Sequence, residues 1–227
     1  LSGSATLARR VAQGFAAAGI TVHDGYGLTE AAPVVALSAV GGDAPAPGRM
    51  GRPLPGVEVQ LRDADGEEVA DGDPGRLFVR GPNLFSGYWP DGAGGPDEHG
   101  WFGTGDIAVT DGEGRLCLVG RTTDLVVVNG FNVYPAEVEA VLAAQAGVAE
   151  VAVVGVADER TGEAVHAFVT PTPGSTLDPD RLLAAAARSL APFKRPARLH
   201  VVETLPHTVT GKIPKWRLGT RDDDGPH

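Results

Sequence analysis

The 227-residue sequence contains a single cysteine, Cys117, and a single methionine. One thiol excludes an intrachain disulfide and any cysteine-based metal cluster, and it suits a reducing compartment, with the cytoplasm as the default. Long apolar runs are also scarce. Hydrophobic residues make up 42% of the chain, yet no uninterrupted stretch approaches the roughly 20 apolar residues a membrane-spanning helix needs. Positive charge is in deficit, with 19 Lys and Arg against 29 Asp and Glu and a net charge of −10. Such a chain repels polyanions unless a basic patch is set aside for them, so nucleic acid is not an expected partner. A signal-peptide pattern is lacking too, and the chain opens on Leu1 rather than Met. The expectation is that the native N-terminus lies upstream and that targeting is not legible.

What is abundant is glycine and proline, 32 and 18 residues. That is above average usage and below the roughly 25–30% that marks low complexity, so a turn-rich globular fold is expected. The length permits one large or two small domains. From Leu7 to Ala18 apolar residues recur at helical spacing, with Gly19 as the stop, and Ile20 to Val22 reads as a short buried strand. A helix leading into a strand is an α/β signature. Between Val57 and Gly81 the period becomes two: Val57, Val59 and Leu61 alternate with Glu58, Gln60 and Arg62, and Leu77 and Val79 with Arg76 and Arg80. Asp65-Gly66 is a hairpin signal between these strands, and a second hairpin is expected from Ile107 to Val119 around Asp111 to Gly114.

After Arg121 the texture changes to that of a small α+β domain. Strands are expected at Leu125 to Val128, Val148 to Val156, Ala164 to Val169 and Leu199 to Val202. One helix opens at Pro135, where the absent N–H costs nothing, and another at Pro179 behind an Asp178 cap. Arg221 to His227 reads as a frayed terminus, and no internal repeat is visible.

Four segments have chemical potential. Asp24-Gly25-Tyr26-Gly27-Leu28-Thr29-Glu30 follows the expected strand. Gly25 and Gly27 would let backbone N–H groups approach a phosphate, Thr29 would donate to a phosphate oxygen, and Glu30 would hold Mg²⁺ directly or through water. The plain alternative is a helix entry after a tight turn. Trp101-Phe102-Gly103-Thr104-Gly105-Asp106 precedes the second hairpin. Its Asp106 would accept two hydrogen bonds from a ribose diol, or simply cap a turn. Gly120-Arg121-Thr122-Thr123-Asp124 offers Arg121 to a phosphate or ribose, or to a surface ion pair of little worth. Leu205-Pro206-His207-Thr208-Val209-Thr210-Gly211-Lys212 is not a Walker A loop, since Pro206 and Ile213 break that pattern; a Gly-flanked lysine remains. His23, His99 and His166 lack metal-ligand spacing, and Cys117 reads as a core residue of a strand.

In this order the segments resemble the motifs of the adenylate-forming superfamily of acyl-CoA synthetases, luciferases and nonribosomal peptide synthetase adenylation domains. Gly51 to Gly56, Gly75 to Gly81 and Gly87-Tyr88-Trp89 resemble further family segments, so the resemblance runs along nearly the whole chain. Gly130-Phe131-Asn132-Val133-Tyr134-Pro135-Ala136-Glu137-Val138-Glu139 is similar to fatty-acyl and related acyl-CoA synthetases in particular.

The resemblance implies α/β and α+β architecture: residues 1–122 as the C-terminal part of the AMP-binding large domain, antiparallel subdomain included, and residues 123–227 as the small mobile C-terminal domain. It implies ATP, Mg²⁺ and CoA as cofactor and co-substrates and a small carboxylic acid as substrate. A carboxylate would attack the α-phosphate of ATP to give acyl-AMP and pyrophosphate, and a thiol would then displace AMP. By resemblance Thr29 contacts phosphate, Glu30 holds Mg²⁺, Tyr26 stacks on adenine and Asp106 takes the ribose hydroxyls. Arg121 serves the ribose or phosphate, and Ser2-Gly3-Ser4-Ala5 lies between adenine and acyl chain. Lys212 serves adenylation, and Gly130 lets pantetheine pass. Thr123 takes the hinge position, where relatives usually carry Asp or Lys. The glycine-rich stretch Asp91 to His99 is expected to lack a short helix that relatives carry. The family's phosphate loop with its lysine does not occur within these 227 residues and, with most of the acyl pocket, is expected upstream of Leu1. The 227 residues alone are therefore expected not to form acyl-AMP. Two other readings stay open: an enzyme that loads a carrier-protein thiol, and a non-catalytic nucleotide-binding fragment.

Overall fold

The computed structural model describes residues 2–3, 9–38, 49–208 and 211–218. It divides into two compact units, Leu1–Thr122 and Thr123–His227. Ser4-Ala5, the expected helix start at Leu7, Val209-Thr210 and the tail from Arg221 lie outside the described residues.

The first unit is built on β1 (Gly25–Gly27), β2 (Val34–Leu37), β3 (Arg49–Pro53), β4 (Glu58–Arg62), β5 (Gly75–Arg80), β6 (Phe102–Thr110) and β7 (Leu116–Arg121). They form one seven-stranded sheet in the order β1-β2-β3-β7-β6-β5-β4. Period-two alternation produces β4 and β5 as expected: they pair antiparallel with Leu61 opposite Leu77 and Glu58 opposite Arg80. Leu61, Leu77 and Val79 enter the core with Val35, Met50, Ala108 and Leu116. On β4 and β5 the charged positions find one another: Arg80 bonds Glu58 at 2.6 Å, and the Arg62 and Arg80 guanidinium groups lie 5.2 and 4.5 Å from the Trp101 ring centre. The bend at Asp65-Gly66 is organised by Asp63, whose carboxylate accepts from the N–H groups of Asp65 and Glu67, each at 2.9 Å.

Three expectations need correction here. Ile20 to Val22 is not a strand, and Ile20 is 51% exposed. The helix α1 (Arg9–Ala17) ends at Gly19 with φ +74°, but pairing begins only where partners are present. Asp24 bridges Ser2, and β1 pairs with β2. A strand is made by a neighbour's backbone groups, not by apolar content alone. Gly25 to Gly27 is therefore strand rather than loop. Cys117 lies in β7, as expected, but is half-buried rather than a core residue.

The second unit contains β8 (Val126–Val128), β9 (Phe131–Val133), β10 (Val148–Asp158), β11 (Gly162–Pro171) and β12 (Arg198–Val201), with α2 (Pro135–Ala143) and α3 (Pro179–Ser189). The sheet order is β10-β11-β8-β9, with β12 added parallel to β11. Pro135 and Pro179 stand in the first turns of their helices, and the Asp178 carboxylate accepts from the N–H of Asp180 at 3.0 Å. The sheet is apolar on both faces. Val153, Val165, Ala167 and Val169 pack with Val138 and Leu142 of α2 and Leu182 and Ala186 of α3. Ala152, Val154 and Phe168 pack with Leu205 and Leu218 of the C-terminal segment.

With a core made entirely of its own residues, Thr123–His227 expressed alone is expected to unfold cooperatively in urea. Leu142→Ala, at a fully buried position, is expected to lower its stability by about 2–5 kcal/mol. A non-cooperative transition followed by circular dichroism would contradict the first expectation, and an unchanged midpoint the second.

Candidate active site

In the first unit the expected residues Tyr26, Asp106 and Arg121 are brought into contact. Asp106 lies within β6 rather than ahead of it, directly opposite Arg121 of β7. It is 5% exposed. A buried carboxylate is costly unless donors meet it, and here each oxygen has one: the Tyr26 hydroxyl donates to Oδ2 at 2.6 Å, and Arg121 Nε donates to Oδ1 at 3.0 Å. Thr104 Oγ1 accepts from the Asp106 N–H at 3.1 Å and donates to the Leu77 carbonyl at 3.0 Å, which fixes the backbone behind the carboxylate. Burial, and next the adjacent carboxylate, push the Tyr26 phenol far above its ordinary value. The Arg121 side chain is 61% exposed, so it remains open to solvent beyond its bond to Asp106.

Thr29 and Glu30 occupy a single 3-10 turn, Thr29–Ala31. Gly27 is required ahead of it, because a Cβ there would lie 1.8 Å from the Pro33 carbonyl oxygen. Thr29 is exposed and Glu30 partly so. The Glu30 carboxylate accepts from the Tyr88 hydroxyl at 2.6 Å. That hydrogen bond first, and the residue's own backbone N–H next, hold its carboxyl below the usual range. Glu30 is therefore an ionised, partly exposed carboxylate, with the Arg121 guanidinium near enough to lower it a little further. Groups of three or more metal-ligating side chains are absent among the described residues. The donor set fits Mg²⁺ brought in on substrate phosphates, which needs only one or two protein carboxylates, and does not form an all-protein cage.

Gly130 and Lys212 belong to the second unit, on separate loops. Asn129 and Gly130, with φ +52° and +80°, make the two-residue turn between β8 and β9, the conformation Asn-Gly favours in hairpins. Space is open around Gly130, with no atom within 4 Å of where a Cβ would stand. Lys212 is exposed. The Thr208 N–H donates to the Lys212 carbonyl at 2.8 Å, the Lys212 N–H to Thr208 Oγ1 at 3.1 Å and the Gly211 N–H to the Thr208 carbonyl at 2.9 Å. Flanking side chains anchor this loop: His207 contacts Glu150 at 3.2 Å and Lys215 contacts Glu139 at 2.7 Å. Sequence reasoning missed these anchors, as it missed Tyr88 and Thr104. Tyr88, Thr104 and His207 had each stood inside a flagged segment, but without a role of their own.

A family model described as AMP-binding enzyme matches residues 1–89, and one described as AMP-binding enzyme C-terminal domain matches residues 137–212. A long-chain-fatty-acid–CoA ligase of Yersinia pestis is 42% identical over 208 residues, which are 88% of this chain and 35% of the relative. A feruloyl-CoA synthase of an Amycolatopsis species is 39% identical over 223 residues, 97% of this chain and 45% of the relative. The crystal structure of ATP-bound MatB from Rhodopseudomonas palustris superposes with a TM-score of 0.90 at 37% identity, covering 96% of this chain and 44% of that one. The fold is that of the C-terminal portion of adenylate-forming enzymes. The chain belongs to the AMP-binding enzyme family and spans less than half the length of these relatives.

Tyr26→Phe removes a donor from a buried carboxylate and is expected to lower stability at pH 8 by about 1–3 kcal/mol. The phenol is raised in the folded state, so its contribution is complete below the ordinary tyrosine value of about 10 and is lost as pH rises above it. The variant's stability should therefore fall less steeply between pH 9 and 11. Parallel wild-type and variant slopes in urea unfolding would contradict this.

Proposed function

We propose that this chain serves an ATP-dependent acid–thiol ligase, an acyl-CoA synthetase that activates a carboxylic acid as acyl-AMP and transfers the acyl group to CoA. The observation that carries this reading is the alignment of 88% and 97% of the chain with relatives named as CoA-forming enzymes at 42% and 39% identity. The geometry supports it residue by residue. Asp106 has each oxygen engaged once by protein, which leaves further lone pairs for a ribose diol. The exposed Arg121 side chain serves the ribose or a phosphate. Tyr26 is 8% exposed, so only an edge of its ring is left for adenine, and its stronger contribution is to orient Asp106. The exposed Thr29 hydroxyl donates to a phosphate oxygen.

Glu30 holds Mg²⁺, which supplies neutralisation of the polyphosphate. Lys212, a compact cation without a partner among the described residues, bridges the carboxylate substrate and the α-phosphate during attack. Gly130, with open space around it, gives the pantetheine thiol its passage. Thr123 acts as the hinge between an adenylating and a thioester-forming pose of the second unit. Among the described residues no helix is long and apolar enough to cross a membrane. The proposed setting is the cytoplasm, where ATP and CoA are supplied and a lone thiol stays reduced.

The test separates the half-reactions in the intact protein. Lys212→Ala is expected to slow acyl-AMP formation by at least about a hundredfold, the scale for losing one preorganised charge contact in a transition state. It should still convert supplied acyl-AMP and CoA to thioester. Gly130→Leu is expected to do the reverse. Its cost to folding is confined to backbone strain at φ +80°, since no atom stands in the way. Equal damage to both half-reactions in each variant would defeat the reading. Thioester formed on a phosphopantetheinylated carrier protein in preference to CoA would move the acceptor assignment.

A further inference from the structure

The segment from Asn83 to Tyr88 is bound to the Glu30 turn at several points, and the proposed chemistry leaves that segment without a role. Asn83 Nδ2 donates to the carbonyls of Ala31 and Val34, both at 2.9 Å. The Phe85 N–H donates to the Glu30 carbonyl at 2.8 Å. The Phe85 ring stands edge-on to Tyr88 at 4.9 Å and to Phe102 of β6 at 5.3 Å, which ties the segment to the sheet. Tyr88, 51% exposed, then reaches the Glu30 carboxylate at 2.6 Å. The segment thus holds both the backbone and the side chain of the same glutamate.

We propose that Tyr88 is a positioning residue: its phenol fixes the Glu30 side chain so that one carboxylate oxygen is held by the protein while the carboxylate awaits a divalent cation. A glutamate has several rotatable bonds, and freezing them on capture of a ligand costs side-chain entropy. A carboxylate already held by a fixed donor has lost part of that freedom before the ligand arrives, which is preorganisation. The phenol is suited to the task because it is neutral. A lysine or arginine there would pair with the carboxylate and compete with the metal, whereas a hydroxyl orients the carboxylate and leaves its charge in place. The anchorage through Phe85 and Phe102 makes the donor itself a fixed point.

The proposal rests on the reading of Glu30 as a metal ligand, and the experiment distinguishes the two. Affinities for Mg²⁺·ATP and for AMP are measured by calorimetry on the intact protein, as wild type, Tyr88→Phe, Glu30→Gln and the double variant. Tyr88→Phe keeps the ring and its packing and removes only the hydroxyl. It is expected to weaken Mg²⁺·ATP binding about two- to tenfold, the range for one net hydrogen bond, with AMP binding unchanged. In the Glu30→Gln background the same change should add nothing further, because the coupled partner is already gone. Equal losses for AMP and Mg²⁺·ATP, or additive losses in the double variant, would overturn the positioning role. Wild-type Mg²⁺·ATP binding in Tyr88→Phe would overturn it too, with the metal role of Glu30 intact if Glu30→Gln alone is weakened. Wild-type binding in Glu30→Gln would remove the metal reading itself, and the proposal with it.

Discussion

A carboxylate that is only 5% exposed has to be met by donors wherever the chain can supply them, and the first unit is organised around that demand at Asp106. The donors come from opposite ends of the unit's sequence: Tyr26 from β1, at the margin of the sheet, and Arg121 from the last residue of β7. One charged group therefore ties the first strand to the last, across β2 and β3 in the sheet order. Replacing Asp106 with a well-packed apolar residue would remove the desolvation cost, so stability alone does not account for an acid here. The proposed ribose ligand, which needs an oriented acceptor, would account for it. The same arrangement engages Arg121 through Nε while its side chain stays 61% exposed, so the one side chain serves the fold and would still be open to the proposed anion.

In the second unit, carboxylates are disposed so that Lys194 and Lys215 are paired, whereas Lys212 has no carboxylate partner among the described residues. Lys194 bonds Glu137 at 2.7 Å, and Lys215 bonds Glu139, whose carboxylate also accepts from the Val153 N–H at 2.8 Å. His207 lies against Glu150. These contacts hold the chain on either side of the Thr208 to Lys212 loop against a sheet that already packs Leu205 and Leu218 into its second face. The loop is thereby anchored at its base, while the one cation at its end keeps its charge for another partner. Solvent-accessible ion pairs add little stability. Their effect here lies in which ammonium they leave unpaired among the described residues.

Most of the fold was legible because its signals are local. Alternating Val59, Leu61, Leu77 and Val79 specify a half-buried hairpin whatever surrounds it, and Pro135 and the Asp178 cap mark helix starts through groups a few residues away. The errors fall where a distant partner decides. Ile20 to Val22 has strand composition but pairs with no backbone among the described residues, whereas Gly25 to Gly27, of poor strand propensity, has Ser2 and β2 on its two sides. Candidate site residues were found one by one through motif resemblance, and their contacts were not. Tyr26 and Asp106 are 80 residues apart, and Glu30 and Tyr88 are 58 apart. No periodicity encodes a hydrogen bond across such separations. Tyr88 was recognised as part of a segment, but its chemistry became visible only beside Glu30.

The end of the first unit constrains where a change of pose could begin. Arg121 is fixed to Asp106 through its side chain, and Thr122 Oγ1 donates to the Gly105 carbonyl at 3.0 Å. Both bonds reach back to β6, on either side of the Gly105–Asp106 peptide. Thr123, by contrast, is exposed in the short 3-10 turn Thr122–Asp124, and its side-chain hydrogen bond is a long one of 3.4 Å to its neighbour Asp124 rather than a bond back to β6. Rotation upstream of Thr122 would pull on the Asp106 carboxylate. Rotation at Thr123 would not. A hinge absorbs its φ/ψ change at element-terminal positions and does not require a particular residue type. Threonine at this position is therefore compatible with the proposed alternation, because what the position must supply is freedom directly after a fixed point, and the hydrogen bonds of Arg121 and Thr122 supply that fixed point.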